Sequence, residues 1–291
     1  MNHDTAPQRQ HFRHLEGLRV RWAEVDLQKI VFNGHYLMYF DTAVAGYWRA
    51  MALPYADTMH TLGGDLYVKK ASVEYHASAR YDELVDVGIR LQRLGNSSMV
   101  LQAAVFRGEA LLVSGELVYV FADPATQTSR PLPLPLREAL QAFEAGEAMV
   151  QVTVGDWAAL GEAAAPIRHA VFVQEQQVPA EIERDALDDT AVHALARNRL
   201  GLPLGTGRLL VQAPGVAKIG RMAVLGTLRG SRVGAQLLQA LVTAARQRGD
   251  HEVQLHAQLS AVPFYLRAGF AAQGPVFEEA GIAHLTMVRR L

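Results

Sequence analysis

The sequence predicts two units in tandem. The first is an α+β unit whose antiparallel sheet wraps around one central helix, and the second is a mixed α/β unit. Three observations carry this. From about Asn33, apolar side chains fall at Tyr36, Phe40, Ala43, Val44, Tyr47, Trp48 and Met51, a helical spacing with bulk nearly all round, so the helix should be buried. Four strand-like runs follow, with no second long helix between them. Beyond RPLPLP (130–135) the pattern changes to alternating strands and helices.

The elements follow in order. Leu18–Trp22 alternates apolar residues with arginine, as a half-buried strand does. After the helix, strands are expected at Leu66–Tyr75, Leu84–Leu94, Ser98–Arg107 and Ala110–Phe121, with turns at Gly95-Asn96 and Gly108-Glu109. The cheapest way to bury the helix is to wrap this sheet around it. The prolines of 130–135 exclude both helix and central strand there, and a short helix is expected over Leu136–Glu147. The domain boundary is placed near residue 147, giving 1–147 and 148–291. In the second unit Val150–Val154 is a strand, and Ala158–Val173 is helical with an interruption at Pro166. Strands are expected at Ala191–Arg197, Leu204–Val211, Lys218–Val224, Glu252–Gln258 and Ile282–Arg290. Val233–Arg248 is an amphipathic helix closed by Gly249, and Ala261–Ala268 a short one.

Composition narrows the function. The 291 residues are half hydrophobic and a fifth charged, which is ordinary for a soluble protein of about two domains. A net charge of −1 gives no electrostatic reason to expect nucleic acid or membrane as partner. The absence of cysteine excludes disulfides, thiolate metal sites and a cysteine nucleophile. The 11 histidines form no metal-ligand spacing, so no metal is expected. The polar start MNHDTAPQRQHFRH lacks the core of a signal peptide, and no apolar run approaches the ~20 residues of a membrane span. A cytoplasmic location is the expectation.

The most informative stretch is RMAVLGTLRGSRVG (221–234). A strand end, Met222-Ala223-Val224, runs into a basic turn, Arg229-Gly230-Ser231-Arg232-Val233-Gly234, that opens a helix. The N–H groups from Arg229 to Ala235 are the unpaired donors of a helix start and suit a pyrophosphate. Gly230 and Gly234 allow close approach, and Arg229 and Arg232 add charge. A plain structural turn has the same pattern. The stretch resembles the acetyl-CoA-binding motif of the GNAT N-acetyltransferases, Arg/Gln-x-x-Gly-x-Gly/Ala. Arg229 fills the first position and Gly234 the last, while Arg232 stands where the middle glycine would be. LHAQLSAVPFYLRAGF (255–270) is similar to the following motif, with Tyr265 on the tyrosine that protonates the departing thiolate. AVFVQEQQVPAEIERDALDD (170–189), KIGRMAV (218–224) and EAGIAH (279–284) resemble one subgroup of that family. The resemblance covers about 150–291. It implies acyl transfer from CoA to an amine, with the N–H of Val224 or a neighbour polarising the thioester carbonyl and Tyr265 as general acid. Glu175, Glu181, Glu183, Asp185, Asp188 and Asp189 are candidate acids near the acceptor cleft, with a solvated acidic face as the alternative. His193 and His256 read as strand residues.

In the first unit, Asp26 precedes the helix that begins near Asn33-Gly34-His35-Tyr36. A carboxylate beside a helix start offers a base and oxyanion donors for hydrolysis of a thioester. A turn or cap role explains Asp26 alone equally well. RWAEVDLQKIVFNGHYLMYFDTA (21–43) resembles the hotdog-fold acyl-CoA thioesterases of the 4-hydroxybenzoyl-CoA thioesterase type. Asp26 falls on the catalytic aspartate and Tyr36 on the helix tyrosine; Asn33 and His35 fall in the Asn/His segment. Lys29 stands where that family has glycine. VKKASVEYHASARYDELVDVGIRLQRLGNSS (68–98) continues the likeness, which covers about 15–135. It implies a site across a dimer interface, with Ser97 and Ser98 near the acyl or pantetheine part; a simple hairpin turn is their other reading. Glu24 reads as a solvated strand-end acid, and Lys69 and Lys70 as phosphate contacts or a solvated edge.

Together the resemblances imply a bifunctional enzyme for CoA thioesters, assembled as a homodimer or homotetramer through the hotdog half. Acetyl-CoA or acyl-CoA is a substrate rather than a resident cofactor, and an amine is the acceptor. In the alternative, only the GNAT half is catalytic and the hotdog half is a dimerising module that binds acyl-CoA.

Overall fold

The computed structural model describes residues 6–291, so the first five residues of the polar start lie outside it. The chain divides into two compact units, one up to Met149 and one from Val150 onward.

The first unit contains β1 (His14–Arg19), α1 (His35–Ala50), α2 (Tyr55–Leu62), β2 (Asp65–Tyr75), β3 (Leu84–Leu94), β4 (Ser98–Arg107), β5 (Ala110–Ala122) and α3 (Leu134–Glu144). Its five strands form one antiparallel sheet in the order β1-β3-β4-β5-β2. This is the hotdog architecture: α1 lies against the sheet and buries Tyr36, Tyr39, Phe40, Ala43, Val44, Gly46, Tyr47 and Trp48. Burial is one-sided rather than all round. Leu37 and Met38 are 41 % and 53 % exposed on the outer face.

Two sequence expectations shift. The first strand is His14–Arg19 rather than Leu18–Trp22, because a 3-10 turn takes Trp22–Glu24. The helix expected from Leu136 starts at Leu134, with Pro135 in its first turn, where a missing N–H costs nothing. The short α2 has no expected counterpart. Glycine decides how closely α1 approaches: a Cβ on Gly115 of β5 would lie 2.6 Å from the Phe40 ring and 2.7 Å from the Ser72 carbonyl of β2.

The second unit contains β6 (Val150–Gly155), α4 (Trp157–Arg168), α5 (Ala180–Glu183), β7 (Val192–Asn198), β8 (Pro203–Ala213), β9 (Val216–Val224), α6 (Val233–Arg248), β10 (Glu252–Gln258), α7 (Val262–Arg267), β11 (Ala271–Glu279) and β12 (Ile282–Arg290). Its seven strands run β11-β12-β10-β9-β8-β7-β6. All neighbours are antiparallel except β9 and β10, which are parallel. Pro166 does not interrupt its helix: α4 passes through it, and the backbone widens into a π-helix over His169–Glu175. β11 escapes the sequence pattern because it is exposed almost throughout and its pairing with β12 breaks between Gln273 and Phe277, around Gly274 and Pro275.

The parallel pair sets the site. β9 and β10 are hydrogen-bonded only from Val216–Ile219 against Glu252–Leu255. Beyond that, β9 pairs with β8 alone and β10 with β12 alone, so the sheet splays open between them.

Gly115→Ala is expected to destabilise the protein by about 1–3 kcal/mol, the usual cost of overpacking a tight contact. Chemical denaturation reads this directly, and an unchanged midpoint would show that α1 is free to move away from the sheet.

Candidate active sites

In the first unit a tight hairpin carries Asp26. Val25 bridges Val31, the Asp26 N–H donates to the Ile30 carbonyl, and the Lys29 N–H donates back to the Asp26 carbonyl, both at 2.9 Å. The Asp26 side chain accepts the Gln28 N–H at 2.8 Å, an Asx turn. Lys29 closes the turn with φ +62°, the left-handed conformation that favours glycine. The backbone thus keeps a glycine-type turn and carries a lysine on it.

The turn leads into α1, capped by Gly34 with no side-chain hydrogen bond. His35 N–H bonds the Phe32 carbonyl at 2.9 Å, and the N–H groups of Tyr36 and Leu37 have no backbone acceptor. Gly34 itself has ordinary helical dihedrals, and a Cβ there would lie 3.0 Å from the Phe32 ring. The helix start is braced from the connection after β2. Ala79 N–H donates to the Tyr36 hydroxyl at 3.0 Å, and the Tyr75 hydroxyl donates to the Asn33 carbonyl at 3.1 Å. Burial raises the Tyr36 hydroxyl above its ordinary value. His35 packs edge-on to Phe32 and sets Nδ1 3.3 Å from the Met38 sulfur.

Glu24 is not a solvated acid. It is 4 % exposed and accepts the Tyr39 hydroxyl at 2.6 Å, the Arg21 N–H at 2.7 Å and Arg21 Nε at 2.6 Å. Burial pushes its carboxyl up, but these hydrogen bonds outweigh that and hold it below the ordinary value. Ser97 and Ser98 sit at the β3–β4 hairpin, where the Gly95 N–H bonds the Ser98 carbonyl at 2.7 Å. The Asp26 turn bonds Ala79 and Arg80, just before the other end of β3. An 11-residue strand spans roughly 35 Å, so one protomer does not bring these serines to Asp26. Lys70 pairs with Glu116 at 3.1 Å, and Lys69 is exposed at a bulge in β2.

In the second unit, Met222, Ala223 and Val224 end β9 beside the splay, after a bulge at Arg221 with φ +52°. Gly226–Leu228 turns the chain, and Gly230 follows with φ +87°. The Ser231 N–H returns to the Leu228 carbonyl at 3.1 Å, and Arg232 caps α6 at φ +68°. The N–H groups of Arg232, Val233, Gly234 and Ala235 have no backbone acceptor; the first helical bond is Gln236 N–H to the Arg232 carbonyl. α4 makes the contrast, because Asp156 plugs its first turn by accepting the Ala159 N–H at 2.9 Å. Gly234 is helical, and a Cβ there would make only ordinary contacts, 3.6 Å from Val224 and 3.7 Å from Phe264.

The charges differ from expectation. Arg229 is held by both Glu175 oxygens at 2.6 Å, and this hydrogen bonding holds the Glu175 carboxyl below its usual range. Three of the other candidate acids belong to an ion-pair network. Asp188 is fully buried and accepts from Arg168 at 2.8 and 3.0 Å and from Arg208 at 2.9 Å. Asp185 pairs with Arg208 at 2.6 Å and Arg221 at 3.3 Å, and Glu183 bonds Arg168. Burial raises Asp188, but Arg168 and Arg208 overcome it, so the carboxyl stays below its ordinary value and ionised. His193 is buried on β7 with Nε2 2.9 Å from the Asp188 carbonyl oxygen, and burial lowers it.

Tyr265 lies on α7, 8 % exposed, with its hydroxyl pushed up to about 12 by burial. It lines a cavity of about 410 Å³ at the splay, together with Met222, Arg221, Gln258 and His256. His256, read from the sequence as a strand residue, is therefore also a cavity residue. Its apolar–polar alternation along β10 was visible, but the partner that orients it, Glu279, comes from the unforeseen strand β11. Among the described residues, no three His, Asp or Glu side chains are grouped to hold a metal ion. Among the same described residues, no helix is long and apolar enough to cross a membrane.

The two folds, with the family models that match them, indicate a two-domain enzyme of CoA thioesters. Comparison with known proteins agrees. A family model described as "Thioesterase superfamily" matches residues 28–114, and one described as "Acetyltransferase (GNAT) domain" matches residues 155–291. The chain is 38 % identical over 124 residues to the uncharacterized N-acetyltransferase YjcF of Bacillus subtilis (strain 168), covering 42 % of this chain and 87 % of that protein. It is 36 % identical over 129 residues to protein ElaA of Escherichia coli (strain K12), covering 43 % and 84 %. Among solved structures, a DHNA-CoA thioesterase from Staphylococcus aureus aligns with a TM-score of 0.42 and 24 % identity, over 45 % of this chain and 90 % of that one. The chain belongs to the GNAT acetyltransferase family through its C-terminal half, fused to an N-terminal domain of the thioesterase superfamily.

Two outcomes follow from these sites. Lys29→Gly removes a side chain from a left-handed residue that costs roughly 1–2 kcal/mol, partly offset by about 0.5–1 kcal/mol of glycine entropy, so a small rise in melting temperature is expected. Lys29→Val at the same position is expected to lower it. Asp188→Asn removes the buried carboxylate shared by Arg168 and Arg208, leaving them Glu183 and Asp185, and is expected to cost about 3 kcal/mol. Because the Asp188 carboxyl sits below its ordinary value, its contribution is present above about pH 4 and fades as pH falls through the lower folded value. Urea midpoints measured from pH 7 downward check both points, and an Asn variant as stable as wild type would refute them.

Proposed function

We propose that the N-terminal half, residues 1–147, hydrolyses acyl-CoA to a free acid and CoA. The C-terminal half, residues 148–291, transfers an acetyl or acyl group from CoA to an amine. The observation that carries this is the pair of uncapped helix starts, α1 with unpaired N–H groups at Tyr36 and Leu37 and α6 with unpaired N–H groups at Arg232–Ala235. Such ends attract anions and developing oxyanions.

In the hydrolytic half, Asp26 orients or activates water, and the N–H groups at Gly34–Tyr36 and beyond stabilise the oxyanion that forms as the water adds. Asn33 and His35 flank the acyl group. Trp22, Leu27, Phe32, Leu37 and Met38 are all more than 40 % exposed around this helix start, and a patch of that kind supports a homodimer or homotetramer that closes the site. In such an assembly Ser97 and Ser98 of a second copy can approach the pantetheine arm, although within one protomer they cannot. In the transferring half, the amides of Arg232–Ala235, with Gly230 and Ser231 leading in, hold the pyrophosphate. Arg232 supplies a cation, and Arg229 contributes only if it leaves Glu175. The pantetheine arm enters the splay between β9 and β10, an N–H near Val224 polarises the thioester carbonyl, and Tyr265 gives its proton to the departing thiolate. A cytoplasmic location fits both chemistries.

A panel of acyl-CoAs assayed for free thiol, with and without amines, tests the two halves separately. Asp26→Asn is expected to lower amine-independent thiol release by about 100-fold or more and to leave transfer intact. Tyr265→Phe is expected to do the reverse. Thiol release that survives Asp26→Asn would favour a hotdog half that only binds acyl-CoA.

A further inference from the structure

The cavity beside Tyr265 contains an oriented histidine that the roles above leave unused. We propose that His256, held by Glu279, is the general base of the C-terminal half and takes its proton from the acceptor ammonium through Nε2. This rests on the acyl-transfer reading of that half.

His256 stands on β10 just past the last residue paired with β9, so its side chain enters the splay rather than a continuous sheet. Its Nδ1 is 2.7 Å from Glu279 Oε2. An ionised carboxylate only accepts, so the neutral ring carries its proton on Nδ1 and leaves the Nε2 lone pair free. Nε2 makes no hydrogen bond among the described residues. The Phe277 ring meets the imidazole edge-on at 4.8 Å and is itself stacked on His284 at 6.0 Å, which fixes the plane of the ring. The side chain is 31 % exposed, enough to be reached from the cavity.

The other groups facing this cavity do not serve as base. Asp185 is tied to Arg208 and Arg221. Tyr265 holds its proton up to about 12. His284 donates Nδ1 to the neutral Ile282 carbonyl at 2.8 Å and so lacks the carboxylate that supports a proton on His256. Burial would raise the Glu279 carboxyl, but the His256 hydrogen bond together with the charges of His256, His284 and Lys218 overcomes it and holds the group below its ordinary value. His256 and Tyr265 line the same cavity, one on β10 and one on α7. A proton acceptor and a proton donor therefore share a single acceptor site.

The proton balance is complete. His256 takes one proton from R–NH₃⁺, and the freed nitrogen lone pair forms the bond to the thioester carbonyl carbon. The tetrahedral adduct collapses with cleavage of the C–S bond. Tyr265 protonates the thiolate and recovers a proton from the adduct nitrogen, leaving the amide, the thiol and one proton on His256 that passes to water.

The experiment uses the full chain with acetyl-CoA and two acceptors, benzylamine, which is charged at pH 7, and aniline, which is neutral. His256→Ala is expected to lower kcat/KM for benzylamine by about 100-fold or more and for aniline by less than about tenfold. Protection by acetyl-CoA against thermal unfolding should be unchanged. Glu279→Gln removes the carboxylate that accepts from Nδ1, so it is expected to lower kcat/KM for benzylamine by about tenfold or more and to leave aniline nearly unchanged. Equal losses for both amines in either variant would overturn the assignment. If the wild type acetylates neither amine, the acyl-transfer reading fails for these acceptors. The assignment, which rests on that reading, falls with it.

Discussion

The structure turns on backbone N–H groups left without partners at two helix starts. α2, α3 and α7 also start without a side-chain cap, whereas α4 has Asp156 folded over its first turn. α1 and α6 instead begin after tight turns that supply no acceptor, and the donors face outward with the helix dipole behind them. Everything else positions these two ends. In the hotdog unit the sheet grips α1 along its length and Tyr36 ties its beginning to Ala79. In the GNAT unit the splay between β9 and β10 opens a slot beside α6.

The GNAT slot needs rigid walls, and charge provides them. Arg168 and Arg208 converge on the buried Asp188, while Arg221 reaches from the β9 bulge to the carbonyls of Ile182 and Glu183 at 2.9 Å. The network fastens the segment between α4 and β7 onto β8 and β9. It also takes Glu183, Asp185 and Asp188 out of play as free bases: their charges are consumed in holding the loop.

Much of this was legible in the sequence. β3, β4, α6, β10 and β12 fall on the expected boundaries because their periodicity is clean and their ends carry turn residues. The helix starts at Gly34 and Arg232 were legible for the same reason. Other features depend on partners distant in sequence. Nothing around Glu24 announces that Tyr39 and Arg21 will bury it, and nothing near Glu175 indicates Arg229. β11 lacks any alternation, so although EAGIAH (279–284) stood out, nothing in it showed that Glu279 would meet His256. Lys29 and Arg232 are the instructive pair. Both stand where the resembling families have glycine, and both keep the left-handed backbone that glycine would adopt. The conformation was retained and a cation placed on it, beside a helix end suited to anions.

The burial of Tyr265 has a consequence for how a reaction at this centre must be timed. A phenol near 12 is a weaker acid than a thiol of ordinary acidity near 8.5 by more than three decades, so surrendering its hydrogen to a sulfur anion alone is uphill by about 5 kcal/mol. If Tyr265 is the acid, as proposed above, it works best as a relay that is refilled as it empties. Bond breaking at sulfur and loss of hydrogen from nitrogen would then be drawn together, and an acceptor nitrogen with no hydrogen to return would stall there.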